Sequence, residues 1–194
     1  MNSFVINLKR RTDKRKWTEA HFDDYGIPFT RFEAIENTVG WKGCRDSHLQ
    51  VLEDNKHKWI FDVFEDDVLF LKINPRKDIL IAMMQLPDDW DIIFWGISPQ
   101  EPLTRHSKNL FRVDKRAFCL HAYTINNNNG VIDFILGRRE RIEKIDLFMS
   151  EEVYPRFNCF VVSPMVATQL QFDSDTCKKS DVSTIFTNFN KFCK

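Results

Sequence analysis

Short runs of β-branched and aromatic residues alternate with longer stretches of helical periodicity along this chain, and that alternation constrains its fold more than any other feature. Strands separated by helices build a layered α/β domain around a mostly parallel sheet. Such sheets take their ligands at the carboxyl ends of the strands. The pattern predicts strands over Phe4–Leu8, Phe29–Ile35, Trp59–Phe64, Asp91–Trp95, Phe118–Ile125 and Phe157–Val162. It predicts helices over Asp13–Phe22, capped by Thr12, over Lys42–Asn55, over Ile79–Leu86, and from the Asn126–Asn129 run through Leu136. The proline-bearing segment Ile97–Asn109 reads as a loop, a candidate acceptor lid, and the polar tail after Pro164 as irregular.

Sequential strand ends direct attention to Lys9-Arg10-Arg11, Glu65-Asp66-Asp67 and Trp95-Gly96. The whole chain carries 28 basic and 28 acidic residues, which excludes a protein that grips nucleic acid or membrane through bulk charge. Neutrality hides a separation. Six basic residues and one acid lie between Lys9 and Lys16, and four acids with no base lie between Asp62 and Asp67. Both clusters follow predicted core strands and should open onto one edge of the sheet. Three adjacent carboxylates between the apolar runs Ile60–Phe64 and Val68–Phe70 repel one another and need compensation when partly buried. A divalent cation supplies it, and guanidinium groups nearby suit a diphosphate. A solvated basic face and a plain polar loop are the bland alternatives.

On the second predicted helix, Cys44, Ser47, His48, Val51, Leu52 and Asn55 share one face. Val51 and Leu52 turn that face inward, so Ser47 and His48 point at the interior or at a cleft. Five cysteines, Cys44, Cys119, Cys159, Cys177 and Cys193, form no CxxC pair, and no glycosylation sequon is present. The expectation is reduced thiols in a cytoplasmic protein. The N-terminus reads as a first strand and not as a signal peptide, and no apolar run is long enough to span a bilayer. A length of 194 residues suits one domain over 1–194, with a nucleotide-sugar part near 1–96 and an acceptor part near 97–194.

Five blocks, in order, resemble glycosyltransferase family 25, the lipooligosaccharide and procollagen galactosyltransferases. They are Val5-Ile6-Asn7-Leu8-Lys9-Arg10-Arg11-Thr12-Asp13-Lys14-Arg15, Gly40-Trp41-Lys42-Gly43-Cys44-Arg45-Asp46-Ser47-His48, Phe64-Glu65-Asp66-Asp67-Val68, His121-Ala122-Tyr123-Thr124-Ile125, and Ser180-Asp181-Val182 after Pro164 and Gln169. The chain departs from the family pattern at Glu36-Asn37, where Asp-Gly is usual. The resemblance implies a single GT-A-like domain that moves galactose or glucose from a UDP-sugar, with inversion, to a hydroxyl on a glycan, a lipid-linked acceptor or a protein. It implies Mn²⁺ or Mg²⁺ on the diphosphate, with Glu65 and Asp67 as a DXD-like metal pair and His121 as a further ligand or an orienting group. Asn7, Arg10, Arg11, Gly43, Ser47, His48 and Asp66 would line the nucleotide site. Asp146, between apolar residues, is the first choice for the base that takes the acceptor proton, and Asp181 the second.

Two other functions compete. Carboxylates at strand ends also serve metal-dependent phosphohydrolases, and the same fold could carry a non-catalytic glycan- or protein-binding module. No partner of nucleic-acid type is expected, and peripheral membrane contact is left open.

Overall fold

The apolar runs pair into one large sheet whose two faces are both covered. The structure is a computed structural model that describes residues 1–172, 175 and 183–193. In chain order the elements are β1 (Asn2–Asn7), α1 (Thr12–Asp24), β2 (Thr30–Glu33), α2 (Gly40–Asn55), β3 (Ile60–Glu65), β4 (Val68–Phe70), α3 (Pro75–Met83), β5 (Ile92–Phe94), β6 (Ser98–Pro99), β7 (Thr104–Arg105), β8 (Leu110–Arg112), β9 (Ala117–Phe118), β10 (Ala122–Asn126), α4 (Val131–Leu136), α5 (Ile145–Phe148), β11 (Cys159–Val162), β12 (Ala167–Gln169) and α6 (Ser183–Phe192).

Eight strands form the central sheet in the order β2-β1-β3-β10-β5-β11-β8-β7. Only β10 and β8 oppose the rest, so the other six run one way, as the alternating pattern predicts. The sheet draws on both halves of the chain, because β10 inserts between β3 and β5. A period of two sorts the side chains between its faces. Ile6, Phe61, Val63, Ile92, Phe94, Tyr123 and Val161 pack on one face against Leu49, Val51 and Leu52 of α2 and Ile132 of α4. Val5, Phe64, Ile93, Ala122 and Phe160 pack on the other against Phe22 of α1 and Ile79 of α3. Each fully buried Phe or Ile contributes about 1.5–3 kcal/mol.

Several local expectations change. Thr12 does not cap α1: it is the first helical residue, and Arg11 occupies the cap position without a side-chain capping bond to the helix, its N–H turned onto the Leu8 carbonyl at 3.0 Å. The expected loop 97–109 carries the short strands β6 and β7, because isolated pairs of residues leave no periodic trace. The described residues after Pro164 include regular elements, against the expectation of an irregular tail. Ala167–Gln169 pairs antiparallel with β4, and α6 buries Ile185 and Phe189. These two apolar residues are a helical i, i+4 pair whose burial depends on a surface that comes from other segments.

The acidic run also divides. Asp62 lies inside β3 and points to the opposite face from Phe61 and Val63. There Ser3 donates to it at 2.8 Å, Thr124 at 2.7 Å and Arg76 at 2.5 Å. It is a neutralised core carboxylate and not part of a cleft. Trp95-Gly96 is likewise closed off. The Trp95 carbonyl accepts from Val166 and Ala167, and a Cβ on Gly96 would meet the Ala167 carbonyl oxygen at 2.0 Å.

Candidate active site

Parallel pairing of β1 with β3 sets Ile6 beside Glu65, so the basic turn after β1 and the acids after β3 leave the sheet together. The mouth they form opens into a cavity of about 620 Å³. Arg10, Lys14, Gly43, Ser47, His48, Glu65, Asp66, Asp67, Asp146 and Gln169 all line it. The convergence expected from charge separation is therefore present, although its internal arrangement differs from a simple basic wall facing an acidic one.

Helix α1 carries Lys14, Thr18 and Phe22 on its buried face, one turn apart. That phase sends Lys14 away from solvent and into the acids. Its Nζ lies 3.0 Å from Asp66 and 3.4 Å from Asp67. Thr18 donates to the Asp66 carbonyl at 2.9 Å, and Asn7 to the Asp66 carboxylate at 2.8 Å. Asn7 and Asp66 thus hold the strand ends together. Asn7 also accepts from Arg31 at 2.9 Å.

Glu65 and Asp67 point to one place, since the Gln169 amide donates to Glu65 at 3.2 Å and to Asp67 at 3.3 Å. Burial raises the Asp67 carboxyl to about 7, and the Glu65 charge adds to the rise while Lys14 opposes it. Burial also acts to raise Glu65, but the His48 hydrogen bond and charge hold it below the usual carboxylate range. Lys14 is the reverse case: burial favours the neutral amine, and the charges of Asp67 and Asp66 keep it ammonium.

The inward face of α2 fits the expectation. Ser47 and His48 are buried, and Cys44 is partly buried. Ser47 donates to the Gly43 carbonyl at 2.7 Å and accepts from the Ile35 N–H at 2.8 Å. His48 bridges Glu65 at 3.1 Å and the Tyr123 hydroxyl at 3.1 Å. A Cβ on Gly43 would meet the Ile35 carbonyl oxygen at 2.6 Å, so the packing of α2 against the chain after β2 already requires glycine there.

Asp146 enters from the far wall, on the single-turn helix α5. Its Oδ1 is buried without a hydrogen-bond partner among the described residues, and burial together with the Glu65 charge raises its carboxyl to about 6. The Cys119 backbone amide favours the ionised form. Cys119 has φ 80, a left-handed backbone that an L-residue holds at a cost of about 1–3 kcal/mol.

Other expected site residues are placed differently. Arg11 does not line the cavity: it pairs with Asp13 at 2.8 Å and with Asp175. Arg10 lies at the mouth between Glu36 at 2.6 Å and Asp175 at 2.7 Å. His121 is fully buried and does not line the cavity. Burial lowers its pKa to about 4; the Ala167 carbonyl is near enough to oppose that, without forming a well-directed hydrogen bond to either ring nitrogen. Its backbone carbonyl accepts from the Glu65 N–H at 2.9 Å. Asp181 lies outside the described residues. Sequence reasoning gave no separate role to Lys14, Tyr123 or Gln169. The i, i+4, i+8 spacing of Lys14, Thr18 and Phe22 was the available signal for the first. Gln169 carries no local signal, because its position depends on β12 returning to β4.

The donor set fits a hard divalent cation. Two carboxylates converge on the amide nitrogen of Gln169, and burial together with the Glu65 charge raises the Asp67 carboxyl against the opposing Lys14, a cost that a bound cation would relieve. Glu65 and Asp67 would hold such an ion.

No family model matches the chain, and no curated protein matches it in sequence. Solved structures do match in shape. A glycosyltransferase involved in the glycosylation of the major capsid of PBCV-1 superposes with TM-score 0.54 at 12% identity, over 82% of this chain and 79% of that one. A Thermus thermophilus mannose-1-phosphate geranyltransferase gives 0.43 at 11% identity, covering 82% and 58%. A Drosophila galactosyltransferase in complex with manganese, UDP-Gal and xylobiose gives 0.39 at 10%, covering 92% and 76%. Of these three, the first rises above 0.5, and at 12% identity it speaks for the fold alone. That fold is the GT-A-like α/β architecture of nucleotide-sugar transferases.

Proposed function

We propose that the protein is an inverting hexosyltransferase of the family 25 type, moving galactose or glucose from a UDP-sugar to a hydroxyl on a glycan, a lipooligosaccharide or a protein. The observation that carries this reading is the position of Asp146. Asp146 lines the same cavity as Glu65, Asp66 and Asp67, and its buried Oδ1 has no hydrogen-bond partner among the described residues. One wall suits a diphosphate with its cation, the other a proton acceptor.

Glu65 and Asp67 are the residues to hold Mn²⁺ or Mg²⁺, which supplies Lewis acidity to the diphosphate when bound. Arg10 stands at the mouth, where its guanidinium can exchange Asp175 for phosphate oxygens. Asp146 takes the proton of the acceptor hydroxyl as its oxygen attacks the anomeric carbon. The new carbon–oxygen bond forms on one face while the bond to the diphosphate breaks on the other, and UDP leaves with the electron pair. With a pKa of about 6, Asp146 is ionised at neutral pH.

Thermal stability with UDP and Mn²⁺, alone and together, tests the reading. A nucleotide at about 100 times its dissociation constant adds roughly 2.7 kcal/mol, or about 5–11 °C for a domain of this size. The expected shift needs both ligands. No shift with any nucleotide, with or without metal, would sink the proposal.

A further inference from the structure

A second set of ligand atoms converges on the cavity, and it is softer than the carboxylate pair. Cys44 Sγ, His48 Nε2 and a Glu65 carboxylate oxygen all lie within 4.8 Å of one another. The thiol is 3.7 Å and the imidazole 3.1 Å from the same atom, Glu65 Oε1. Cys44 and His48 stand at i and i+4, so α2 presents both on one face, one turn apart. A tetrahedral zinc ion with bonds of about 2.3 Å to sulfur and 2.0–2.1 Å to nitrogen and oxygen sets its ligands roughly 3.4–3.6 Å apart. The two separations from Glu65 bracket that range, so those contacts need shifts of only a few tenths of an ångström, and the sulfur and nitrogen lie within 4.8 Å of each other.

The surroundings are those of a built site. The other ring nitrogen of His48 meets the Tyr123 hydroxyl at 3.1 Å, and the two rings stack at an interplanar angle of 25°. In the ion-free site Nε2–H donates to Glu65; when a cation takes that place the proton resides on Nδ1, where it donates to Tyr123, and the Nε2 lone pair turns to the ion. Tyr123 is itself locked in β10 between β3 and β5. All three ligand residues line the cavity, which leaves a fourth position open to water or to a small ligand.

We propose that Cys44, His48 and Glu65 form a binding site for a thiolate-preferring divalent cation of the zinc class. It is distinct in chemistry from the Glu65–Asp67 pair and shares only Glu65 with it. Mn²⁺ and Mg²⁺ prefer the oxygen pair, whereas Zn²⁺ and Co²⁺ gain from sulfur and nitrogen. Binding converts the Cys44 thiol to a metal-bound thiolate and releases one proton to solvent. The metal keeps its oxidation state, so no co-reactant is needed. The site itself does not depend on the transferase reading. One consequence does rest on that reading: an ion that takes Glu65 should weaken Mn²⁺-dependent UDP binding.

Co²⁺ is the probe, added to the full chain without nucleotide. The expected result is a near-ultraviolet thiolate-to-cobalt band, one proton released per ion as read by an indicator dye, and loss of the band when Zn²⁺ is added. Cys44→Ser should abolish the band, and His48→Gln should weaken Co²⁺ binding at least about tenfold. Asp67→Asn should retain the band even though the transferase reading expects it to lose the Mn²⁺–UDP shift, so failures of the two proposals are distinguishable. Absence of the band in the wild-type protein at millimolar Co²⁺ overturns the site, as does its persistence in Cys44→Ser. Should Cys44→Ser lose its native circular dichroism, alkylation decides. Zn²⁺ should slow modification of Cys44 by iodoacetamide in the wild-type chain, read by peptide mass, and an unchanged rate overturns the proposal.

Discussion

The ammonium of Lys14 lies 3.0 Å from the Asp66 carboxylate, with the two side chains only 6% and 11% exposed. Fifty-two positions separate them in sequence. The pair ties α1 to the end of β3 and offsets part of the charge that the three acids bring to the cavity. Lys14→Met removes that offset while keeping most of the volume. Breaking a fully buried pair costs roughly 3–5 kcal/mol and an exposed pair contributes about 0–1 kcal/mol; this pair, at the wall of a cavity that admits water, should fall between the two. Urea unfolding at neutral pH measures this loss, and Mn²⁺ should restore part of it.

Asp67→Asn removes one of the two carboxylates that meet at Gln169. The variant should keep its fold, because the group is held raised toward neutrality by burial in the ligand-free state. It should lose the stabilisation that requires UDP and Mn²⁺ together. A full shift in the variant would place the metal elsewhere.

Asp146→Asn is expected to bind UDP normally and to lose about 10²–10⁴-fold in turnover. The pH profile provides a second check. The base must be ionised, and its carboxyl titrates at about 6. The rate in the wild type should therefore fall as pH drops below 6, by about tenfold per unit. The variant should lack that limb.

Gly43→Ala separates packing from ligand contact. The new methyl would meet the Ile35 carbonyl oxygen at 2.6 Å, and backbone cannot turn aside as a side chain can. The expected cost is about 1–3 kcal/mol of stability without any ligand. Unchanged stability with weakened UDP binding would instead assign this glycine to the nucleotide.

His21 gives a pH dependence of stability away from the site. Its Nε2 accepts from the Phe70 N–H at 3.0 Å, and the ring stacks on Trp17 and Phe70. Burial lowers its pKa from 6.5. At low pH the unfolded chain therefore binds more protons at this residue than the folded one. Its contribution is fully present above pH 6.5 and is lost as pH falls below that value through the folded pKa. His21→Gln keeps an acceptor and cannot titrate. Urea midpoints of the two proteins should diverge between pH 7 and 5, with the wild type losing more.

The primary structure by itself determined the layered α/β class and the phase of its main elements. Val51 and Leu52 oriented α2, turning Ser47 and His48 inward. Such information lies in neighbouring residues, because helix and strand periods are local. The meeting of basic and acidic strand ends was also legible, since parallel strands place successive carboxyl ends on one edge. Tertiary structure decided the rest. It gave Asp62 to Ser3, Thr124 and Arg76, carried Lys14 into the acids, and brought Gln169 between Glu65 and Asp67 from more than a hundred residues away. It also set His121 behind the cavity and left Asp146 facing it. A carboxylate at a strand end reads the same in sequence whether its partner is an arginine, a lysine or a cation. Only strand order, register and the return of distant segments select among them.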